Sequence, residues 1–447
     1  LVQLPEDEVF LRGIATYTLG VAHLLGGDVE AATQALEEAA KASELAGNVM
    51  VAVMALCALA ELYAALAQLR RAEEAYRRAL DLATGEYGRD LPISGMALIG
   101  LGELNREWNN LEAATGYLVE GIERAKAWTE LGASDGCLAL ARVKQAQGDD
   151  GGAQEMMRQA QELAARAGIS HFSDAILEAY QAWLWICQGN LAAAERWTAG
   201  KGLAPSLLEG VRVEAGEPWD DLLDIKEGGL SVDYHLRKYE HLVWARLLLA
   251  QNRPGQALAV VDPFLAAMDQ VGGRGSAKAI ELLILRALSL QGLGDIANAL
   301  ETLAGALSLA EPGGYVRLFL DEGEPMARLL RTAADRNIEP KYVERLLSAH
   351  ESGSSAQAPI SIPSPEPIVR RPSSVGQRPS LPLVEPLTER EQEVLGLLAT
   401  HLNSTEIAGQ LCISPHTVRY HIKSIYGKLG VHRRTEAVER ARDLDLL

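Results

Sequence analysis

A pattern of small and apolar residues recurs about every forty residues from about residue 10 to about residue 310. Each unit holds two apolar runs at helical spacing, separated by a turn that is often Gly-Asp or Gly-Asn, and the second run starts near an alanine. These alanines are Ala32, Ala72, Ala114, Ala153, Ala194, Ala257 and Ala299, at separations of 40, 42, 39, 41, 63 and 42 residues. One such pair of helices cannot bury its apolar faces alone, so the pattern predicts about seven stacked helix pairs with a concave surface able to hold a ligand or a protein.

The composition favours an all-α fold with an acidic body. Aromatic residues make up only 5% of the 447 residues, while hydrophobic residues make up 48% and are dominated by the helix formers Ala and Leu. The formal net charge is -18, yet residues 387–447 contain eight basic and eight acidic side chains. The negative excess therefore lies upstream, and only the C-terminal part is suited to approach a polyanion such as DNA.

The one long interval, of 63 residues, contains an insertion at about residues 201–232 between the fifth and sixth pairs. We interpret it as a loop or short helix that projects from the solenoid. Five of the seven tryptophans lie in or beside it, and Trp183, Trp185 and Trp244 are candidates for an effector pocket, because indole faces stack on flat or apolar ligands. The alternative is that these indoles fill the space between helices.

Residues 351–386 differ in character from the rest of the chain. They contain eight of its 18 prolines together with many serines, a composition that predicts an extended, flexible linker without a core. The sequence thus predicts a helical repeat domain at 1–350, the linker, and a small domain at 387–447.

The stretch from Asn403 to Lys423 predicts two short helices joined by a tight turn. Asn403 and Glu406 have the spacing of a capping box, and Ser414 followed by Pro415 starts a second helix. The second helix has an apolar stripe formed by Val418, Ile422, Ile425 and Leu429. From residue 407 to residue 435 there is no Asp or Glu, so the opposite face is basic. A basic helix held by an apolar back suits a helix-turn-helix that enters the major groove.

Several short motifs in this region resemble the LuxR-type DNA-binding domain. They are Leu387-Thr388-Glu389-Arg390-Glu391, Glu406-Ile407-Ala408, Ser414-Pro415-His416-Thr417-Val418-Arg419, His421 and Lys428-Leu429-Gly430-Val431. The forty-residue units resemble tetratricopeptide repeats, and residues 310–330 resemble the segment that closes the helical sensor domain of MalT-like regulators. The resemblance implies an all-α protein: a tetratricopeptide-like α-solenoid, a linker and a four-helix helix-turn-helix domain that binds double-stranded promoter DNA.

Helical position and the resemblance together imply roles for individual residues of the small domain. Arg419, Tyr420 and Lys423 are expected to face base edges in the major groove. Thr405, His416, Thr417, Lys428 and Arg433 are expected to contact phosphates and fix the register. A last helix is predicted at about residues 434–444, and in the family this helix often forms the dimer, so a dimer on DNA is expected. RNA polymerase is a further expected partner of an activator.

Other functions find less support in the sequence. We expect residues 1–447 to contain no nucleotide-binding module of the kind found in the MalT-like subgroup, since no GxxxxGK[ST] motif occurs in them and the glycine-rich residues 272–278 have the wrong spacing. No cofactor, metal site or catalytic constellation is expected, and the four scattered cysteines predict buried free thiols. Without a signal peptide or an apolar run long enough for a membrane helix, we expect a cytoplasmic protein. A repeat scaffold that mainly binds proteins, with a secondary DNA-binding tip, is the alternative.

Overall fold

The computed structural model describes residues 9–84, 91–168, 171–203, 225–226, 229–230, 232–270, 275–354, 389–399 and 434–443, and single positions at 407, 410, 411, 418, 422, 425 and 446. The chain forms two compact units, Leu1–Ile362 and Pro363–Leu447. Within the described ranges, no helix is both long and apolar enough to cross a bilayer.

The described part of the first unit contains seven helix pairs followed by three further helices. The pairs are α1 (Val9–Leu25) with α2 (Val29–Leu45), α3 (Val49–Ala65) with α4 (Leu69–Thr84), α5 (Ser94–Glu107) with α6 (Leu111–Lys126), α7 (Glu130–Ala146) with α8 (Asp150–Ala167), α9 (His171–Cys187) with α10 (Leu191–Gly200), α11 (Val232–Ala250) with α12 (Pro254–Gln270), and α13 (Ala277–Gly292) with α14 (Ile296–Ala310). The helices α15 (Arg317–Leu320), α16 (Gly323–Asp335) and α17 (Pro340–Ser354) follow. The predicted all-α solenoid of about seven pairs is confirmed.

The recurring Gly-Asp and Gly-Asn dipeptides are the turns between the two helices of a pair. Gly148 and Gly294 have positive φ angles of 76° and 81°, the left-handed conformation that ends a helix and that glycine adopts without steric cost. The next residue caps the following helix: the Asp149 side chain accepts a hydrogen bond from the backbone N–H of Gly152 at 2.9 Å, and Asp295 accepts one from Asn298 at 3.3 Å. Two adjacent residues therefore stop one helix and start the next.

Small residues lie where paired helices cross closely. All seven repeated alanines, which lie in the second helix of each pair, have 0% exposure. Opposite them, a methyl group added to Gly102 would lie 2.5 Å from the Leu118 side chain and 3.3 Å from the carbonyl oxygen of Ala114. Larger side chains at these positions would separate the helices, which explains why Ala and Gly recur.

The end of the solenoid packs back onto its second and third pairs. The indole N–H of Trp108 donates to the carbonyl oxygen of Gly313 at 2.9 Å, and the backbone N–H of Val316 donates to that of Glu107 at 2.9 Å. The Tyr315 hydroxyl donates to the carbonyl oxygen of Ala64 at 3.3 Å. We call residues 313–322 the closing segment. The largest hydrophobic cluster contains residues of α2–α5 together with residues of α13–α17, so both ends of the array share one core.

The insertion between the fifth and sixth pairs differs from its prediction where the structure describes it. Its described residues include two short antiparallel strands, β1 (Ile225–Lys226) and β2 (Gly229–Leu230), with Ile225 opposite Leu230. The sequence predicted a loop or a short helix. A hairpin of two residues per strand is too short to leave a periodic signal in the sequence.

The described part of the second unit includes α18 (Glu389–Ala399) and α19 (Arg434–Asp443). Its small core joins residues from across the unit: Val394, Leu395, Leu398, Ile407, Val418, Ile425, Ala437 and Ala441, each no more than 3% exposed. Ile422 packs against this core as well. The predicted apolar stripe is therefore confirmed at Val418, Ile422 and Ile425, while Leu429 lies outside the described residues.

The close approach of α5 and α6 gives a test of the packing. In Gly95→Ala, the new methyl would lie 2.6 Å from the backbone nitrogen of Ala125 and 2.8 Å from the carbonyl oxygen of Gly121. Because backbone cannot yield locally, we expect a loss of roughly 1–3 kcal/mol of stability. Gly116→Ala is the matched control, since no atom lies within 4 Å of its added methyl. That variant should gain roughly 0.5–1 kcal/mol from helix propensity. Equal urea midpoints for the two variants would contradict this account.

Candidate functional site

The residues predicted to contact DNA lie outside the described residues. They are the base-reading candidates Arg419, Tyr420 and Lys423 and the phosphate-contact candidates Thr405, His416, Thr417, Lys428 and Arg433. The structure does describe the buried positions Val418 and Ile425 of the same stretch, each with 0% exposure. These two residues belong to the buried apolar face of the predicted second helix.

A cavity of about 210 Å³ lies inside the first unit, between the repeats and the closing segment. The first helices of the pairs supply most of its wall, from α3 to α13, and the closing segment completes it. Among the lining residues are the aromatic side chains Tyr76, Tyr180, Trp183, Tyr239 and Tyr315 and the charged side chains Glu103, Arg106, Glu107, Arg142, Arg246, Lys278, Glu281, Asp321 and Glu322. A second cavity, of about 560 Å³, shares Trp183, Arg246, Asp321 and Glu322 with the first.

The three tryptophans proposed for an effector pocket lie in different environments. Trp183 lines both cavities. Trp185 packs against a hydrophobic cluster of α5–α9. Trp244, only 2% exposed, belongs to a third cluster formed by α11–α13 and lies edge-on to His241, with ring centroids 6.0 Å apart. Trp183 is thus placed to meet a ligand in a cavity, whereas the surroundings of Trp244 are those of a packing residue.

The charged residues of the cavity wall were not recognised in the sequence. Arg106 is 2% exposed and forms ion pairs with Glu107, at 2.5 Å, and with Asp321 of the closing segment. Arg246 pairs with Glu322 at 2.7 Å and with Glu281 at 2.9 Å. We call Arg106 and Arg246 the arginine clamp, because together they hold the adjacent carboxylates Asp321 and Glu322. In the sequence, Arg246 stands within an apolar helical run and Arg106 has polar neighbours, and neither pattern identifies an ion-pair partner.

The two carboxylates of the closing segment differ in how well their charges are compensated. Burial alone would raise the pKa of Asp321, but the guanidinium groups of Arg317, Arg106 and Arg142 outweigh that effect and lower it. Burial is the largest effect on Glu322 and leaves its pKa raised despite the ion pair with Arg246. Desolvation of the ionised Glu322 therefore costs more free energy than its ion pair with Arg246 regains.

A thiol and three carboxylates complete this inner region. Cys57 and Cys137 are buried, as predicted, but Cys187 is exposed and lines the second cavity, so the prediction of a buried thiol is wrong there. Cys412 lies outside the described residues. Burial raises the pKa of Glu61 to about 7, with further contributions from the carboxylates of Asp135 and Glu103. Burial and Glu103 likewise raise the pKa of Asp135 to about 7. Neighbouring helices crowd the Glu61 and Asp135 carboxylates and reduce their hydration, but both residues are exposed to solvent, so their charges are partly screened.

These raised pKa values predict a pH dependence of stability. The ordinary pKa values are 4.5 for Glu61 and 3.8 for Asp135, against about 7 in the folded protein. Between these values the folded state binds more protons than the unfolded state, so the free energy of unfolding falls as pH rises towards 7 and stays lower above it. Glu61→Gln should therefore raise the urea midpoint, relative to the unsubstituted protein, more at pH 8 than at pH 5.

The control for this prediction is Glu155→Gln, on the outer helix α8. Hydrogen bonds from Arg158 and Gln159 lower the pKa of Glu155 to about 2. The ionised Glu155 therefore increases the free energy of unfolding, whereas the ionised Glu61 decreases it, and the increase is fully present above pH 4.5. That variant should gain no stability at pH 8. If Glu61→Gln changed the midpoint equally at both pH values, the carboxylate cluster would not be the source of the pH dependence.

Comparisons with known proteins agree with this architecture. A family model described as the MalT-like TPR region matches residues 1–336, and one described as bacterial regulatory proteins of the luxR family matches residues 385–441. The HTH-type transcriptional regulator MalT of Serratia proteamaculans (strain 568) is 25% identical across 99% of this chain, and the match covers 46% of that relative. The protein of the same name from Yersinia enterocolitica serotype O:8 / biotype 1B shows the same identity and coverage.

The chain thus spans about half the length of these curated relatives. The resemblance inferred from the sequence motifs is confirmed for both regions. Because the repeat model matches most of its residues, the chain belongs to the family of the MalT-like TPR region, and it also carries a luxR-family regulatory domain.

Proposed function

We propose that this chain is a DNA-binding transcriptional regulator whose helical repeats receive an effector or protein signal. The observation that carries the proposal is the luxR-family match at residues 385–441, downstream of a MalT-like repeat region. Both relatives compared above are named HTH-type transcriptional regulators. The proposed organisation is a repeat domain at 1–350, a linker at 351–386 and a DNA-binding domain at 387–447. Residues 351–354 still belong to helix α17, so the extended part of the proposed linker would begin after Ser354.

The buried stripe of the second helix supports the assignment of its reading face. Val418 and Ile425 have 0% exposure. By helical periodicity, Arg419, Tyr420 and Lys423 fall off that stripe, on the side available to a major groove. Arg and Lys can donate to guanine acceptors, and Tyr can contact a thymine methyl group. Thr405, His416, Thr417, Lys428 and Arg433 would then hold phosphates on either side.

The repeat domain supplies a site where a signal can act. The cavity beside Trp183 is walled by helices from six pairs and by the closing segment, so an occupant would contact both ends of the array. The concave surfaces of helical solenoids bind ligands and protein segments in this way. We propose Trp183 as a contact for such an effector, with Trp185 and Trp244 supporting the helices around it.

Further features of the proposal follow from its DNA target. A dimer formed through the last helix would place two reading helices on two half-sites. Activation would require contact with RNA polymerase, and a protein that meets promoter DNA in a bacterium works in the cytoplasm. No enzymatic step is proposed.

The test is a gel shift on promoter DNA over a range of salt concentrations. Arg419→Ala together with Lys423→Ala should weaken sequence-specific binding by roughly 1–3 kcal/mol for each lost base contact. Lys428→Ala should weaken binding to all sequences alike and reduce the salt slope by about one. Arg166→Ala, an exposed residue of the repeat domain whose side chain is 63% exposed, is the control and should leave binding unchanged.

Unchanged binding by the Arg419 and Lys423 double variant would overturn the assignment of the reading helix. Absence of specific DNA binding in the unsubstituted chain, with protein partners still retained, would favour the alternative of a repeat scaffold. The salt series separates the two kinds of contact, because phosphate contacts release counterions and base contacts do not.

A further inference from the structure

The closing segment occupies the inner surface of the repeats much as a bound peptide would. Its backbone is held by the hydrogen bond from Val316 N–H to the Glu107 carbonyl oxygen, at 2.9 Å. At its end, Asp321 pairs with Arg106, and Glu322 pairs with Arg246 at 2.7 Å. These two carboxylates come from one short stretch, whereas the arginines of the clamp come from α5 and α11. The clamp therefore recognises an adjacent pair of acidic residues.

The clamp is not saturated by its own segment. Arg106 is 98% buried, with a side-chain exposure of 2%, and lines the first cavity. Its Nε has no hydrogen-bond partner among the described residues, and neither does Oε2 of Glu107. A buried donor without a partner costs roughly 1–3 kcal/mol, so an occupant with one more acceptor would bind this site better.

The clamp is also open to exchange. Arg246, Asp321 and Glu322 line both cavities, so the ion pairs lie between two spaces that an incoming group can enter. A buried ion pair contributes little net stability, because the loss of hydration offsets most of the attraction. If another pair of carboxylates replaces Asp321 and Glu322, no guanidinium is left buried without a partner, and the exchanged side chains return to water.

We propose that the arginine clamp is an exchangeable docking site for an acidic peptide of a partner protein. The peptide would carry large apolar residues followed by two carboxylates, as in Leu318-Phe319-Leu320-Asp321-Glu322 of the closing segment. It would take over Arg106 and Arg246 and release the closing segment from α5. This inference rests on the proposed function in one respect: the peptide would be the signal that the repeat domain receives.

The test uses the full chain and a labelled synthetic peptide with the sequence of residues 316–324. The variant with Asp321→Asn and Glu322→Gln should bind the peptide at least about tenfold more tightly than the unsubstituted chain. The reason is that its closing segment, without the two carboxylates, occupies the arginine clamp for a smaller fraction of the time. A peptide carrying Asn and Gln at the two acidic positions should bind neither protein. Fluorescence anisotropy measures both affinities.

The matched control removes two carboxylates from a different arginine. Glu155→Gln with Glu162→Gln strips Arg158 of its partners on the exposed surface of α8, and its affinity for the peptide should equal that of the unsubstituted chain. Equal affinity of the unsubstituted chain and the Asp321 and Glu322 variant would overturn the proposal. Binding of the neutralised peptide as tight as that of the acidic one would do the same.

Hydrogen exchange gives a second readout that needs no substitution. Saturating peptide should increase exchange at the Val316 amide of the unsubstituted chain by about tenfold or more, since its partner in α5 is lost. Unchanged protection of Val316 with bound peptide would show that the closing segment stays in place. The same increase with glutarate alone would show that a small dicarboxylate suffices and would overturn the requirement for a peptide. Because DNA binding is assayed separately, a chain that shifts promoter DNA but ignores the peptide refutes this inference alone.

Discussion

The contact between the closing segment and the early repeats is the constraint on which the first unit depends. A stack of helix pairs is quasi-one-dimensional, since each pair touches only its neighbours. Here the hydrogen bond from Trp108 to Gly313 and the ion pair between Arg106 and Asp321 join residues more than two hundred positions apart. Closure turns the inner surface into cavities and brings α3 and α5 into one core with α13–α17.

Apolar packing and ionic contacts have different roles at this closure. Tyr315, Val316 and Phe319 are no more than 3% exposed, and their burial supplies the favourable free energy. The buried ion pairs of Arg106 and Arg246 add little net stability, because desolvation offsets their attraction. They do fix which residues lie opposite each other, and they concentrate charge where the cavities meet.

The repeating elements could be read from the sequence because their determinants are local. A left-handed Gly148 or Gly294 followed by an Asp cap needs only the residues of its own turn, and a fully buried Ala32 or Ala299 needs only its partner helix. The same holds for Val418 and Ile425 in the second unit, whose helical spacing predicted their burial. The cavity could not be predicted in this way. Arg106 and Glu322 look like ordinary charged residues in the sequence, and Trp244 looked as suitable for a ligand pocket as Trp183.

The sequence by itself determined the helical class, the number of pairs, their turns and the membership in the MalT-like family, because capping, periodicity and motif spacing act over a few residues. Only the tertiary structure decided that the array closes on itself, that Asp321 and Glu322 meet Arg106 and Arg246, and that Trp183 lines a cavity. The physical reason is that the geometry of the whole array depends on every pair in it. Small rotations at each pair add up over the whole array, and their sum, which no single repeat encodes, determines which distant surfaces meet.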